Sequence, residues 1–324
     1  MTKFRPSRRE LLQLLGASGG MLALPGIVHR VSGQQLMRHH QIQSIDQNAV
    51  LELEMRLLEI IGSDALGLDL RRIDPETGQH DFRILNNAYL CYPVASCFKA
   101  MVVFYYFVIT PRAQWRYDED SPAYRVAVFS NNPLTGELIA ETAQFYPGRG
   151  NAIEKFNEFV RFTLFSQNGL YSWDWQGSPT IGQVDLAYAP SPARAVRFGE
   201  VGYEMDNVFF PADLAEFWSL MLRPDPVPGE PQAADAVTRT LELFAIAAEG
   251  YRTPIERARG SYIGKDGVIP EADSPVGRVT NDAGIVYIND TPYVISAMFT
   301  GSEFRFVRLL RNILAEIELF EESL

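Results

Sequence analysis

Lysine is scarce in this chain, which has four among its 324 residues: Lys3, Lys99, Lys155 and Lys265. Arginine therefore carries most of the positive charge, and 40 acidic side chains outnumber 29 basic ones, for a net charge of -11. An acidic surface repels polyanions, so we expect no nucleic-acid partner. The rarity of lysine gives weight to any short motif that contains one.

Cysteine and histidine are also few, at two and four residues. Cys91 and Cys97 could form a short-loop bridge if the protein is exported, or remain two small core thiols, which is the interpretation we favour. No spacing of these residues matches a zinc site. The histidines lie in the N-terminal segment or in polar, loop-like stretches: His29, His39, His40 and His80. We therefore expect neither a metal nor a cofactor.

The first 34 residues differ in composition from the rest. Arg8-Arg9 precedes an apolar stretch from Leu11 to Val28 that is diluted by glycine and serine. Paired arginines ahead of such a stretch are typical of a twin-arginine export signal. The stretch is also nearly long enough to cross a bilayer, so a retained membrane anchor is the alternative. We expect a periplasmic or other extracytoplasmic protein, with residues 35–324 as one folded domain.

Hydrophobic periodicity divides this domain into helices and strands. Helical spacing occurs at Asn48–Ile61, Ala100–Ile109, Leu134–Phe145, Asn151–Phe165, Pro211–Leu222, Ala233–Ala248 and Glu303–Phe320. Strand patterns occur at Ala65–Leu70, Asp81–Leu85, Gly260–Lys265, Gly284–Ile288 and Tyr293–Phe299. Because the strands lie at both ends and the helices between them, the pattern predicts an α+β fold. We expect an antiparallel five-stranded sheet flanked by helices, with a separate all-helical lobe.

Three short motifs follow one another along the chain. They are Ser96-Cys-Phe-Lys99 (S-x-x-K), Ser130-Asn-Asn132 (S-x-N) and Lys265-Asp-Gly267 (K-x-G). One S-x-x-K is expected by chance in a chain of roughly this length, and the second motif, ahead of Pro133, could simply cap a helix. The setting of Ser96 adds weight, because the apolar run Ala100–Ile109 predicts a buried helix that begins at the serine.

Ser96 and Lys99 can act together on chemical grounds. Residues three apart lie on one face of a helix. A serine hydroxyl is a poor nucleophile unless a neighbour takes its proton. Lys99 can do so when its amine is neutral, a state that burial and a second nearby cation, Lys265, would favour. The helix N-terminus would also point backbone N–H groups at the reacting carbonyl oxygen.

The three motifs and the segment Val279–Phe299 resemble those of class A β-lactamases and penicillin-binding proteins. The resemblance implies the fold of that superfamily over about residues 45–322. It implies four catalytic residues: Ser96 as nucleophile, Lys99 as its base, Ser130 as proton donor to the leaving nitrogen, and Lys265, which would polarise Ser130 and hold a substrate carboxylate. It also implies a substrate-binding set: Asn132 for the substrate amide, Asp266 and Gly267 of the third motif, and Val268, whose N–H would complete an oxyanion hole with that of Ser96. Gly267 would let the substrate lie close against the strand.

The chain departs from the family pattern at three places. Asp266 replaces the threonine or serine of the third motif, and its charge would repel a substrate carboxylate. Only 30 residues separate Lys99 from Ser130, fewer than is typical, so we expect a more open cleft. The family's E-x-x-L-N element, which supplies the deacylating glutamate, has no match on the loop ahead of the Pro211 helix. Glu200 and Glu204 are the candidates there, and a solvated loop face is the alternative.

We therefore expect an exported serine hydrolase that works through an acyl-enzyme, with β-lactam hydrolysis as its leading activity. A D-alanyl-D-alanine peptidase or an esterase of the same superfamily is the enzymatic alternative. A degenerate member that binds cell-wall fragments without catalysis is the other. The expected partner is a small molecule, either a β-lactam or a peptidoglycan peptide. We expect a monomer, since nothing in the sequence indicates a partner protein.

Overall fold

The computed structural model describes residues 45–166, 168–170, 196–198, 201–203, 207–247, 253–259, 262–274 and 276–324. The predicted export segment, residues 1–34, lies outside these ranges, and so do Glu200 and Glu204. Within them, no helix combines the length and the apolar composition needed to cross a membrane.

One five-stranded sheet organises the fold. Its five strands are β1 (Leu66–Ile73), β2 (His80–Asn86), β8 (Tyr262–Ile269), β9 (Val279–Ile288) and β10 (Thr291–Thr300). Five short strands lie outside it, in two smaller sheets: β3 (Tyr92–Pro93), β4 (Gly169–Leu170), β5 (Val196–Phe198), β6 (Val201–Tyr203) and β7 (Asn207–Phe209). The sheet has the order β2-β1-β10-β9-β8, and every neighbouring pair is antiparallel. Strands from the two ends of the chain thus meet at its centre, as predicted, and β8 lies at an edge.

Helices cover both faces of the sheet. They are α1 (Gln47–Ile61), α2 (Lys99–Ile109), α3 (Pro122–Phe129), α4 (Asn132–Ala143), α5 (Ala152–Leu164), α6 (Pro211–Leu220), α7 (Ala233–Ile246), α8 (Pro254–Arg259) and α9 (Glu303–Ser323). One face packs against the two terminal helices through side chains such as Leu57 of α1 and Ile313 of α9. The other face packs against the middle helices, which form the second core. The architecture is the α+β arrangement that the sequence predicted.

Helix α2 is the centre of the helical lobe. All of its residues from Lys99 to Val108 are buried. A helix that is apolar all round has no solvent face and is stable only when other elements surround it. Phe104 of α2 illustrates this, since its ring makes contacts with Phe159 of α5 and Phe217 of α6. The predicted buried helix is therefore confirmed, and it fixes the position of the residues just ahead of it.

Helices α3 and α8, the short strands β3 to β7 and parts of the sheet strands were not predicted. Helix α3 spans eight residues, and Tyr124, Val126 and Val128 alternate along it in a pattern that also suits a strand. Helix α8 is six residues long, too short to show a period. Strand β8 continues to Ile269, beyond its predicted end at Lys265, because pairing with β9 overrides the poor strand preference of Asp and Gly.

Candidate active site

The third motif lies on the edge strand β8, against the segment that carries Ser96. A Cβ added to Gly267 would lie 2.5 Å from the Ser96 backbone N and 2.8 Å from Ala95 Cβ. The Cys97 thiol donates a hydrogen bond to the Lys265 carbonyl oxygen at 3.3 Å. We expected this glycine to let substrate approach the strand. The structure shows a further requirement, because the backbone of the Ser96 segment also approaches this glycine closely.

We expect Gly267→Ala to push the Ser96 segment off the strand, because the new methyl group would overlap backbone atoms. The rate of any reaction at Ser96 should fall by at least about tenfold, and the melting temperature should fall by several degrees, as overpacking costs about 1–3 kcal/mol. Ser63→Ala, in an exposed turn after α1, is the control and should keep the wild-type rate and melting temperature. An unchanged melting temperature in Gly267→Ala would contradict this close packing.

Ser96 lies in a 3-10 turn, Ala95–Phe98, that leads directly into α2. The sequence predicted a helix beginning at the serine, and the structure places this tighter turn first. The Lys99 N–H donates to the Ser96 carbonyl oxygen. In 3-10 geometry the side chains of residues i and i+3 eclipse, so Ser96 and Lys99 share a face. Ala95 has a φ of 51°, in the left-handed region that is unfavourable for alanine, and such strain is often found at functional sites.

The Lys99 side chain is fully buried. Its Nζ donates hydrogen bonds to the Ser130 carbonyl oxygen at 2.7 Å, to Ser130 Oγ at 3.0 Å and to Asn132 Oδ1. Burial, reinforced by the charge of Lys265, lowers the pKa of Lys99 to about 7. A substantial fraction of this amine is therefore neutral at neutral pH and able to accept a proton.

The second motif forms the turn between α3 and α4. Ser130 ends α3 with a φ of 53°, and this left-handed conformation turns the chain back toward Lys99. Asn131 caps α4 by accepting a hydrogen bond from the Leu134 N–H at 2.9 Å. The capping interpretation is thus correct for Asn131. It does not compete with the functional one, because Ser130 and Asn132 both contact Lys99.

Lys265 makes an ion pair with its neighbour in sequence. Its Nζ donates to Asp266 Oδ1 at 2.8 Å and to the Asp266 carbonyl oxygen at 2.7 Å. We expected Asp266 to act on a substrate carboxylate through repulsion alone. The structure shows that the Asp266 carboxylate also accepts a hydrogen bond from the Lys265 ammonium group, which would otherwise attract the substrate carboxylate.

A second buried carboxyl, Asp282, lies directly across from Asp266 on β9. It accepts hydrogen bonds from the Ile255 N–H at 2.7 Å and from the Tyr262 hydroxyl. Burial, together with the charge of Asp266, raises the pKa of Asp282 to about 7. Asp282 thereby joins the start of α8 to the strand that carries the third motif.

A cleft of about 740 Å³ brings residues of all three motifs together. The members of the predicted set that line it are Ser96, Ser130, Lys265, Asp266, Gly267 and Val268. Lys99 and Asn132 are joined to this set through the hydrogen bonds of Lys99. The sequence did not predict a group of largely apolar side chains that also line the cleft: Tyr124, Val128, Phe129, Phe244 and Ile246. In the sequence, Phe129 directly before Ser130 was a signal that apolar side chains lie beside the second motif.

Three further expectations from the sequence concern the cysteines, a metal site and the deacylating glutamate. Both cysteines are free thiols, and burial raises their pKa values, that of Cys91 to about 11. Within the described ranges, no three His, Cys, Asp or Glu side chains are grouped so that they could hold a metal ion. The deacylation candidates Glu200 and Glu204 lie outside the described residues.

Comparisons with known proteins identify the fold. No family model and no curated protein matches the sequence. Among solved structures, a β-lactamase from Xanthomonas campestris pv. campestris is 14% identical and covers 84% of this chain and 98% of its own, with a TM-score of 0.55. An ancestral class A β-lactamase is 14% identical, with coverages of 83% and 98% and a TM-score of 0.53.

A mutant of PBP-A, solved as an acyl-enzyme complex with penicillin G, is 17% identical to this chain. It covers 85% of this chain and 98% of its own, with a TM-score of 0.55. At such identities the similarity defines the fold. The chain therefore has the fold of class A β-lactamases and penicillin-binding proteins, and its three motifs meet in one cleft of that fold.

Proposed function

We propose that this chain is a serine hydrolase that opens β-lactam amides through an acyl-enzyme at Ser96. The observation that carries the proposal is the buried Lys99 amine, whose pKa of about 7 suits a general base and whose hydrogen bonds connect it to Ser130. Two solved structures of the same fold are described as β-lactamases, and a third is an acyl-enzyme complex with penicillin G.

In the proposed reaction, Ser96 Oγ forms a bond to the carbonyl carbon while its proton passes to the neutral Lys99 amine. The carbon–nitrogen bond then breaks, and the leaving nitrogen takes a proton from the Ser130 hydroxyl, which Lys99 reprotonates through their 3.0 Å hydrogen bond. The N–H groups of Ser96 and Val268 would stabilise the developing oxyanion. Water finally attacks the acyl-enzyme, which releases the acid and restores the Ser96 hydroxyl.

A fluorescent penicillin tests this proposal on the purified protein. We expect labelling that is lost in Ser96→Ala and that turns over, because the acyl-enzyme is an intermediate. Stable labelling that requires Ser96 would replace the lactamase assignment with that of a penicillin-binding peptidase. Absence of labelling, together with no hydrolysis of a simple thioester, would overturn the hydrolase proposal and favour a binding protein.

An esterase is the second candidate function, and the Lys265–Asp266 ion pair favours it. β-Lactams and D-alanyl-D-alanine peptides carry a carboxylate, whereas many esters do not. An ammonium group already paired with a carboxylate gives little attraction to a second one. Hydrolysis of uncharged thioesters without reaction of any β-lactam would select this candidate.

We also propose that the protein is exported through the twin-arginine pathway and acts as a monomer on a small molecule. The Arg8-Arg9 pair ahead of its apolar stretch supports the export proposal. Replacing both arginines with lysine should hold nearly all of the protein in the cytoplasm, as measured by cell fractionation. Unchanged export of this variant would contradict the proposed route.

A further inference from the structure

The ion pair at the third motif has a consequence for the choice of substrate. Lys265 and Asp266 are 7% and 8% exposed, so their charges interact with little screening by water. Lys265 Nζ has two hydrogen bonds to Asp266, one to the side chain and one to the backbone. The pair is neutral as a unit, and it occupies the place where an anionic substrate group would need an unpaired cation.

An anion that approached Lys265 would meet the Asp266 carboxylate at close range. It would have to share the ammonium group or displace Asp266 from it, and like charges brought together in a partly buried site repel each other strongly. An uncharged group meets no such repulsion and can bind beside the pair through ordinary hydrogen bonds. The subsite therefore discriminates against anions.

The other residues that line the cleft also favour an uncharged ligand. Among the described residues that line it, the charged ones are Lys265, Asp266 and Glu256, one cation and two carboxylates. Apolar side chains also line the cleft, and of these Phe129 and Ile246 are 65% and 46% exposed. Such surface gains free energy when an apolar ligand group covers it.

We propose that the preferred substrates are esters or amides that are uncharged beside Lys265 and apolar where they contact Phe129 and Ile246. This inference rests on the acyl-enzyme mechanism proposed above, but not on a lactam ring in the substrate. It assigns Asp266 the role of a specificity residue that excludes anions.

Matched substrates test the inference on the full-length chain. We would compare a chromogenic cephalosporin with its methyl ester, and the phenylacetyl thioester of thioglycolate with that of thioglycolamide. Within each pair only the carboxylate differs. We expect kcat/KM of the wild-type protein to be at least about tenfold higher for the uncharged member, the ratio that about 1.4 kcal/mol of repulsion produces.

Asp266→Asn removes the charge while keeping the shape of the side chain. We expect it to reduce the preference for the uncharged member by about tenfold or more, and Asp266→Thr should act in the same direction. Asp273→Asn, which removes a charge from an exposed turn outside the cleft, should leave the preference unchanged. The wild-type ratio does not depend on these variants, so it remains decisive if one of them fails to fold.

The possible failures are distinguishable. If the wild-type protein reacts with the carboxylate member as fast as with the uncharged one, or faster, the inference is wrong and the acyl-enzyme mechanism stands. An unchanged ratio in Asp266→Asn would also overturn it. If only thioesters react, the lactam part of the proposed function fails, and the thioester pair still decides the inference. If no probe acylates Ser96, both proposals fail together.

Discussion

Ser96→Ala should reduce kcat for any substrate of this protein by a factor of at least about 10³, with little effect on the fold. The expected loss is large because no other group in the proposed mechanism can form the acyl bond, and removing a catalytic nucleophile has effects of this size or greater. The change deletes one oxygen from a half-buried side chain, so the melting temperature should shift by no more than about 2 °C.

A serine elsewhere provides the control for this variant. Ser63 lies in an exposed turn after α1, and Ser63→Ala should keep the wild-type rate. Initial rates and thermal unfolding curves of the three proteins suffice for the comparison. Retained turnover in Ser96→Ala would show that a different nucleophile is used, or that the reaction has no covalent intermediate.

The second large effect should be a steep dependence of acylation on pH. The pKa of Lys99 is lowered to about 7, and only the neutral amine can accept the serine proton. Below about pH 7 we therefore expect kcat/KM to rise about tenfold for each pH unit, and above it to level off. The sign follows from the direction of the shift, because an unperturbed lysine would remain protonated until about pH 10.

Lys265→Met identifies the group that titrates. Lys265 is the charged neighbour that lowers the pKa of Lys99, so its removal should move the midpoint of the profile to higher pH. Lys155→Met is the control, since the Lys155 ammonium donates to the Ala143 carbonyl oxygen on the helical lobe. A profile that is flat between about pH 5 and 8 would rule out Lys99 as the base. The same midpoint in both variants would show that Lys265 does not lower the pKa of the titrating group.

The sheet could be predicted from the sequence because its strands depend on local signals. Alternating apolar residues and a turn marked the β1–β2 hairpin, and the β9–β10 pair was recognised from its resemblance to the last strand pair of class A enzymes. The antiparallel sheet followed from strands at both ends of the chain with helices between them. Helix α2 was equally clear, since an apolar run of its length has no stable position at a surface. Helix α3 was missed because an eight-residue segment is too short to separate helical from strand periodicity.

The sequence motifs gave the residues of the candidate site but not the contacts between them. The motifs named Lys99, Ser130 and Lys265, and the structure joins the first two directly. The sequence could not show that Lys265 binds Asp266, because adjacent residues on a strand usually point to opposite faces. The long, flexible lysine side chain makes that contact possible. The role of Gly267 was also hidden, since it depends on the approach of a segment distant in sequence.

Intact-mass spectrometry of the wild-type protein during exposure to benzylpenicillin and its methyl ester is the most direct test of a reactive Ser96. The account predicts a protein that gains the mass of one ligand, carries it on the peptide that contains Ser96, and loses it again with time. It predicts that the methyl ester adds faster than the acid. A protein whose mass never changes with either ligand, or that carries the adduct at another residue, would contradict the account.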